Sequence, residues 1–554
     1  MEIFVVAKLS GKMPKKSFKA NSQSKIIVKD ATYKSETMTL VRPSPLRGCN
    51  GIIFGLDGAL YVCQGAVNRI SRVELYAKEP CITTFVSSYH GIFYPDDITV
   101  DNKGNFYAVG HISGEVYKIN SKGMKKVIAR NLNGPDGICY DKQRGRLFVS
   151  ECFWGNRVFE LDPEGKKEPR LITDTLSIPE AFDIKNGKLI IPDMGTGKIV
   201  KVDPDSGEIF LICEGLITPV ALKIGPDGYI YTIEQATGRV LRISPDGQHV
   251  ETITVLAPGV DNLAFSPDGR LFVSSYHDST IWEVKLEKNG KHEMIFPMGL
   301  NVPVSIVVKG ERIYISDVVM VRMIDERGNL YKTRANPWIG TGYPLPITMT
   351  QGLGDNLITA DFIDNIVVTV NPETGDWAPI AKLTTPAGMT LDQKRRKLYV
   401  AEYSLGQITE VDLETPYPCK TRLVTSELSG PVALVAKDGC LYVAEALAGR
   451  ISKVDVANGY KEVFLAGYVG KPKNLAWDYN CNLLVLDVAR KELVKVDMNN
   501  LRLSIIASNL PVLHTTYYHH PIKYDGTVGL AVDDQGNIII GGNEDGSITK
   551  IFRK

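Results

Sequence analysis

The chain holds 554 residues, with 64 Lys+Arg against 63 Asp+Glu and a formal net charge of +1. That balance leaves no electrostatic footprint for nucleic acid or an anionic membrane, so neither is expected as a partner. A chain of this length has material for more than one buried core.

Residues 1–24 read as an N-terminal extension. Its apolar run, Ile3 to Ala7, is too short for a membrane span. Lys8, Lys12, Lys15 and Lys16 follow it, the reverse of the charge order of a secretory signal. The cysteine count of nine is odd, and most sit in strand-like runs (Cys63, Cys139, Cys213, Cys440), where they read as small core hydrophobes. A reducing cytoplasm is the expected address. The alternating stretch Lys25 to Val41 is expected to supply one edge strand that closes a ring, with no sign of which.

From Asn50 onward one phrase returns twelve times at a spacing of about 40 residues. PDDITVDNKGNFYAVGHISGEVYKI, from Pro95, and PDGICYDKQRGRLFVSECFWGNRVFEL, from Pro135, are its clearest copies. Others begin near Pro179, Pro219, Val260, Pro303, Pro344, Pro386, Pro431, Pro472 and Thr527. The apolar runs alternate with the two-residue rhythm of strands, and Asp-Gly or Gly-Asn pairs supply turn positions. These features predict an all-β chain of about twelve four-stranded blades. Propellers usually hold four to eight blades, so two tandem six-bladed β-propellers are expected, over 25–300 and 301–554.

In a propeller the innermost strand of each blade begins at the channel mouth and the second strand returns to it, so two positions per blade converge there. The first follows the residue that opens each copy. In the first ring it reads Asn50, Asp96, Asp136, Glu180, Val220 and Asp261. In the second it reads Val304, Leu345, Ala387, Val432, Lys473 and Val528. Carboxylates crowded on one axis repel unless protons or a cation intervene. Asn50, Asp96, Asp136, Glu180 and Asp261 are therefore expected to hold a divalent cation. Oxygen ligands suit Ca2+ first, then Mg2+ or Mn2+; Zn2+ is the remaining choice, with no Cys/His set apparent at this ring. The alternative is that these acids cap local backbone donors.

The second position reads Gln64, Gly110, Glu151, Asp193, Glu234 and Ser275, against Asp317, Asp361, Glu402, Glu445, Asp487 and Gly541. Both rings carry acids here, so pairing with third-strand Arg is expected (Glu151 with Arg157, Glu234 with Arg239, Glu445 with Arg450). Lining a substrate pocket would be a second role for Glu151, Asp193 and Glu234. His111, Trp154, Tyr276 and His277 lie just beyond these strand ends and Tyr94 just before Pro95. The imidazoles are candidate proton shuttles and the aromatics candidate pocket walls for a small-molecule substrate. In the second ring, His514 to Lys523 (HTTYYHHPIK) and the stretch around Trp338 and Tyr343 read as long loops, a cover or inter-ring contact rather than an ordered ligand set.

At Pro95-Asp96-Asp97-Ile98, Pro135-Asp136-Gly137-Ile138 and Asp261-Asn262-Leu263-Ala264 the chain resembles the gluconolactonase and senescence-marker-protein (regucalcin) family, and more loosely NHL-repeat proteins and virginiamycin B lyase. The resemblance implies a six-bladed propeller whose central divalent cation is held by a Glu, two Asn and an Asp. The family's Asn-Gly motif matches Asn50-Gly51, its Asn-Asp motif falls on Asp96-Asp97, with Asp in place of Asn, and its Asp-Gly motif on Asp136-Gly137. Its early Glu has no counterpart in place, and Glu180 would supply a carboxylate from another blade. The implied activity is metal-dependent hydrolysis of a lactone or ester, with Asp136 or Asp261 taking the proton from water. The alternatives are elimination or isomerisation through an enolate, with His277 or His111 as base, and a non-catalytic binding scaffold.

Overall fold

The computed structural model describes residues 36–76, 81–286, 290–317, 320–335, 347–362, 364–513, 516–519 and 522–553. Twelve four-stranded antiparallel sheets account for nearly all of them, each a blade whose strands follow one another from the channel outward. Blades 1 to 6 span 49–87, 95–129, 135–173, 183–213, 219–255 and 260–294. Blades 7 to 11 span 303–335, 348–382, 386–425, 431–466 and 472–507, and blade 12 takes its three inner strands from 530–551.

The first strand of blade 1, Cys49–Phe54, packs beside that of blade 6, Val260–Phe265, which closes the first ring. Pro303–Lys309 of blade 7 packs beside Leu530–Val532 of blade 12, which closes the second. The protein is therefore two six-bladed propellers. The N-terminal strand Thr37–Val41 pairs with Ser547–Ile551, Thr37 opposite Ile551, as the outer strand of blade 12. Counting it with the first ring, as 25–300 does, is corrected: chain ends separated by the whole sequence meet in one sheet, which removes an open edge from the second ring. The first ring is thus inserted within the second. The two crossings are tied together, Arg47 Nη1 donating to Asn301 O (3.5 Å) and Asn543 O (3.1 Å), and Gly48 N to Asn301 Oδ1 (2.5 Å).

Apolar residues of adjacent blades interlock, for example Tyr61, Cys63, Ile98, Phe106 and Tyr117 between blades 1 and 2. Cys63, Cys139 and Cys213 are buried as expected of core residues, Cys440 is only half-buried, and all nine cysteines are free. No helix among the described residues is long and apolar enough to cross a membrane. Trp338, Tyr343 and Leu345 lie outside the described residues. The 514–523 stretch contributes a hairpin, Thr516–His519 with Ile522–Asp525, whose side chains also lie outside them.

Candidate metal centre

In four of the first ring's six blades the first strand opens with the same bulge beside the axis. Between Pro95, opposite Gly110, and Ile98, opposite Ala108, two residues face one; the same shift recurs at Pro135/Ile138, Cys49/Ile52 and Val260/Leu263. A bulge re-aims side chains where pairing is interrupted. Here the re-aimed pairs are Asp96-Asp97, Asp136-Gly137, Asn50-Gly51 and Asp261-Asn262. The glycines mark close approach between blades: a Cβ on Gly51 would lie 2.6 Å from Asp97 Cα, and one on Gly137 2.8 Å from Ala181 Cα.

Asn50, Asp96, Asp136, Glu180 and Asp261 line one small cavity of about 60 Å3, together with Tyr94, His111, Tyr276 and His277. The five expected ligands and both histidines thus meet. Four of the five are buried, and Asp261 keeps more solvent contact. Asn50 Nδ2 donates to Asp96 Oδ1 (2.7 Å). Burial, then repulsion from Asp136, holds Asp96 and Glu180 well above the usual carboxylate range; burial and Asp136 do the same to Asp261. Among the described residues, no Lys or Arg lines the cavity. Three buried polar atoms at this centre have no hydrogen-bond partner: Asn50 Oδ1, Glu180 Oε1 and His111 Nδ1. Carboxylates without a cationic partner, beside orphaned acceptors, are a donor set that fits a divalent cation.

His111 Nδ1 lies 3.6 Å from both Asp96 Oδ2 and Asp136 Oδ2. Burial keeps its pKa low, against the opposing charge of Asp136. Cys152 Sγ donates to Asp136 Oδ2 (3.2 Å). Ligand atoms of His111, Asp136 and Cys152 all lie within 4.8 Å of one another. The expectation of a centre without a Cys/His set is corrected here: Cys152 N, just past the second strand of blade 3, donates to Gly134 O (3.0 Å), which sets the thiol beside Asp136.

Trp154 packs on His111, ring centroids 5.0 Å apart, but is half-exposed and outside the cavity lining. Tyr94 and Tyr276 share a hydroxyl hydrogen bond (3.1 Å). Tyr94 sits at φ +42, at a blade entrance filled by Gly48, Gly134 and Gly259 in blades 1, 3 and 6. A left-handed tyrosine there costs about 1–3 kcal/mol, held in part by Tyr94 N donating to Asn68 Oδ1 (2.8 Å).

Glu151, Asp193 and Glu234 do not line the cavity, so their place in the pocket is corrected. Glu151 pairs with Arg157 (2.6 and 3.1 Å) and Glu234 with Arg239 (2.7 and 2.6 Å). Asp193 accepts from Ser177 N and Ile178 N (3.1 and 2.8 Å). In the second ring Glu445 pairs with Arg450 in the same way. These acids fasten the entrance loop of their own blade. Asn262 and Asp97, named in the motifs but not as site residues, link blades 6 and 2: Asn262 Nδ2 donates to Asp97 Oδ1 (3.0 Å). Their signal was the second residue of each bulge pair.

The second ring builds one wall. Tyr276 packs with Met320, Ile347, Phe362 and Ala387, and Asn301 Nδ2 donates to its carbonyl (3.1 Å). Arg322, 1% exposed, binds Asp278 Oδ1 (3.2 Å) and Asp317 Oδ2 (3.3 Å). Burial and then Arg322 lower the His277 pKa to about 4, so its imidazole is neutral at neutral pH.

No family model matches the chain. Among curated proteins it is similar to a probable peptidyl-alpha-hydroxyglycine alpha-amidating lyase of Caenorhabditis elegans, 24% identical over 254 residues, 40% of this chain and 72% of that one. It is also similar to strictosidine synthase-like protein 13 of Arabidopsis thaliana, 24% identical over 259 residues, 39% of this chain and 62% of that one. Against the peptidylglycine alpha-amidating monooxygenase of Rattus norvegicus it is 20% identical over 258 residues, spanning 26% of that protein. Solved structures it matches include virginiamycin B lyase of Staphylococcus aureus (18% identity, TM-score 0.36, 54% of this chain and 98% of that one). A gluconolactonase-like protein matches with 18% identity and TM-score 0.38, over 48% of this chain and 94% of that one. The chain is a twin β-propeller with propeller relatives of several kinds, and the gluconolactonase and senescence-marker family is not singled out among them.

Proposed function

We propose that the first ring is a divalent-cation-dependent enzyme acting on a small carbonyl compound at its channel mouth, with hydrolysis of a lactone or ester as the first reaction to test. The observation that carries this reading is the acid ring itself, with orphaned Asn50 Oδ1, Glu180 Oε1 and His111 Nδ1 and no cationic side chain lining the cavity among the described residues. Asn50, Asp96, Asp136, Glu180 and Asp261 are the residues that would hold the ion, which when bound would polarise a carbonyl and stabilise developing negative charge. Asp261, the most solvent-accessible of the acids, accepts the proton of the attacking water. Tyr94 and Tyr276, tied by their hydroxyls, form a rigid wall that orients the substrate.

Elimination is the second reading, supported by His277, a neutral imidazole on the cavity wall able to take a proton from carbon, and by the lyase among the relatives. Metal-loaded wild type and Asp136→Ala should be compared over a panel of lactones, esters and elimination substrates. The variant should lose on the order of 10²–10³-fold or more in turnover with its circular dichroism unchanged. Undiminished turnover in the variant would refute a catalytic first ring.

A further inference from the structure

The acid ring was read above as an oxygen site, yet a buried thiol touches Asp136. Cys152 is fully buried and its Sγ lies 3.2 Å from Asp136 Oδ2. His111, 4% exposed, has its unpartnered Nδ1 3.6 Å from each of two carboxylate oxygens, Asp96 Oδ2 and Asp136 Oδ2. That distance is too long for a hydrogen bond. It is right for two ligands of one ion: bonds of about 2.0–2.3 Å at tetrahedral angles separate ligand atoms by roughly 3.3–3.6 Å.

We propose that the resident ion of the first ring is a borderline transition metal of the Zn2+ class, held by the Cys152 thiolate, His111 Nδ1 and Asp136 Oδ2. The inference rests on the cation reading of the first ring, names the ion's class, and keeps Asp136 as ligand while moving the remaining bonds to Cys152 and His111. Calcium and magnesium select oxygen alone, whereas thiolate with imidazole selects zinc and its neighbours. Binding exchanges one proton for the metal: the S–H bond of Cys152 breaks, the sulfur keeps the electron pair as ligand, and the proton leaves to solvent. Fully burying a thiol against carboxylates makes it a poor thiolate without a metal, so the site discriminates by requiring an ion that bonds sulfur strongly.

Co2+ is the probe, since its spectrum reports sulfur and geometry directly. Adding Co2+ to the full-length chelator-treated protein should produce a sulfur-to-cobalt charge-transfer band in the near ultraviolet that saturates at one equivalent and is displaced by Zn2+. Cys152→Ser should abolish that band and weaken Co2+ binding roughly 100-fold. Should that variant misfold, X-ray absorption of the wild-type zinc form must still show one sulfur neighbour at about 2.3 Å. Cobalt bound without a charge-transfer band, a band that survives in Cys152→Ser, or stoichiometric Ca2+ binding with none for Co2+ would each overturn the sulfur ligand while leaving the cation reading intact. Binding of no divalent ion at all would overturn both.

Discussion

The two rings are built from the same blade and differ most at one register position. Where the first ring places Asn50, Asp96, Asp136, Glu180 and Asp261 around a small cavity, the second places Val304, Ala387, Val432 and Val528, all fully buried, with Lys473 among them. Its channel is larger, about 340 Å3, lined largely by inner-strand residues such as Ser305, Met349, Met389 and Leu434. The second-strand acids, by contrast, recur in both rings with the same partners, Glu234 with Arg239 and Glu445 with Arg450. Positions that repeat across the rings serve the blade, and those that differ serve the site.

The largest expected effect breaks the link between the rings. Arg322→Ala leaves Asp317 and Asp278 buried without their cation and should destabilise the protein by about 3–5 kcal/mol in urea unfolding. It should also raise the His277 pKa, read by NMR of labelled histidine, because the Arg322 charge lowers it. An unchanged midpoint would mean that the second ring does not brace this wall.

The pH dependence sharpens the comparison from the first ring's side. Asp96, Glu180 and Asp261 have raised pKa values when folded, so their protonation stabilises the metal-free protein below the unfolded carboxylate pKa, and that stability is lost as pH rises through the folded values. His277 acts in the opposite sense. Its folded pKa of about 4 lies below the unfolded 6.5, so it costs stability as pH falls from 6.5 to 4, by about 3 kcal/mol. His111, whose pKa burial also lowers, acts in the same sense as His277, so metal-free His277→Gln should lose less stability than the wild type on acidification from pH 8 to 5, and added divalent cation should change that profile. A profile that ignores cation would detach these carboxylates from metal binding.

The smallest effect concerns the shared wall. Tyr276→Phe removes the hydroxyl bond to Tyr94 and should cost about 1 kcal/mol in thermal unfolding, with metal content unchanged.

The blades were legible because alternation and turn residues are local signals that recur twelve times. The acid ring was legible because a repeat aligns equivalent positions, so Asp96, Asp136 and Asp261 stand out against Ala387 and Val432. Three things were not. The pairing of Thr37–Val41 with Ser547–Ile551 joins the two ends of the chain and leaves no local trace. Cys152 follows Glu151 in what reads as a strand run, and only the cross-strand pairing, Cys152 N donating to Gly134 O (3.0 Å), brings its sulfur to Asp136. The packing of Tyr276 under Met320 and Phe362 depends on how the rings meet, which no repeat pattern encodes.

The central claim is that the first ring holds a divalent cation and the second does not. Plasma mass spectrometry on purified protein, wild type beside an Asp96→Ala/Asp136→Ala double variant, tests it most directly. The account predicts one equivalent of divalent cation in the wild type and none in the variant. A wild type that stays metal-free after exposure to Zn2+, Ca2+, Mg2+ and Mn2+, or a variant that keeps its ion, would contradict it.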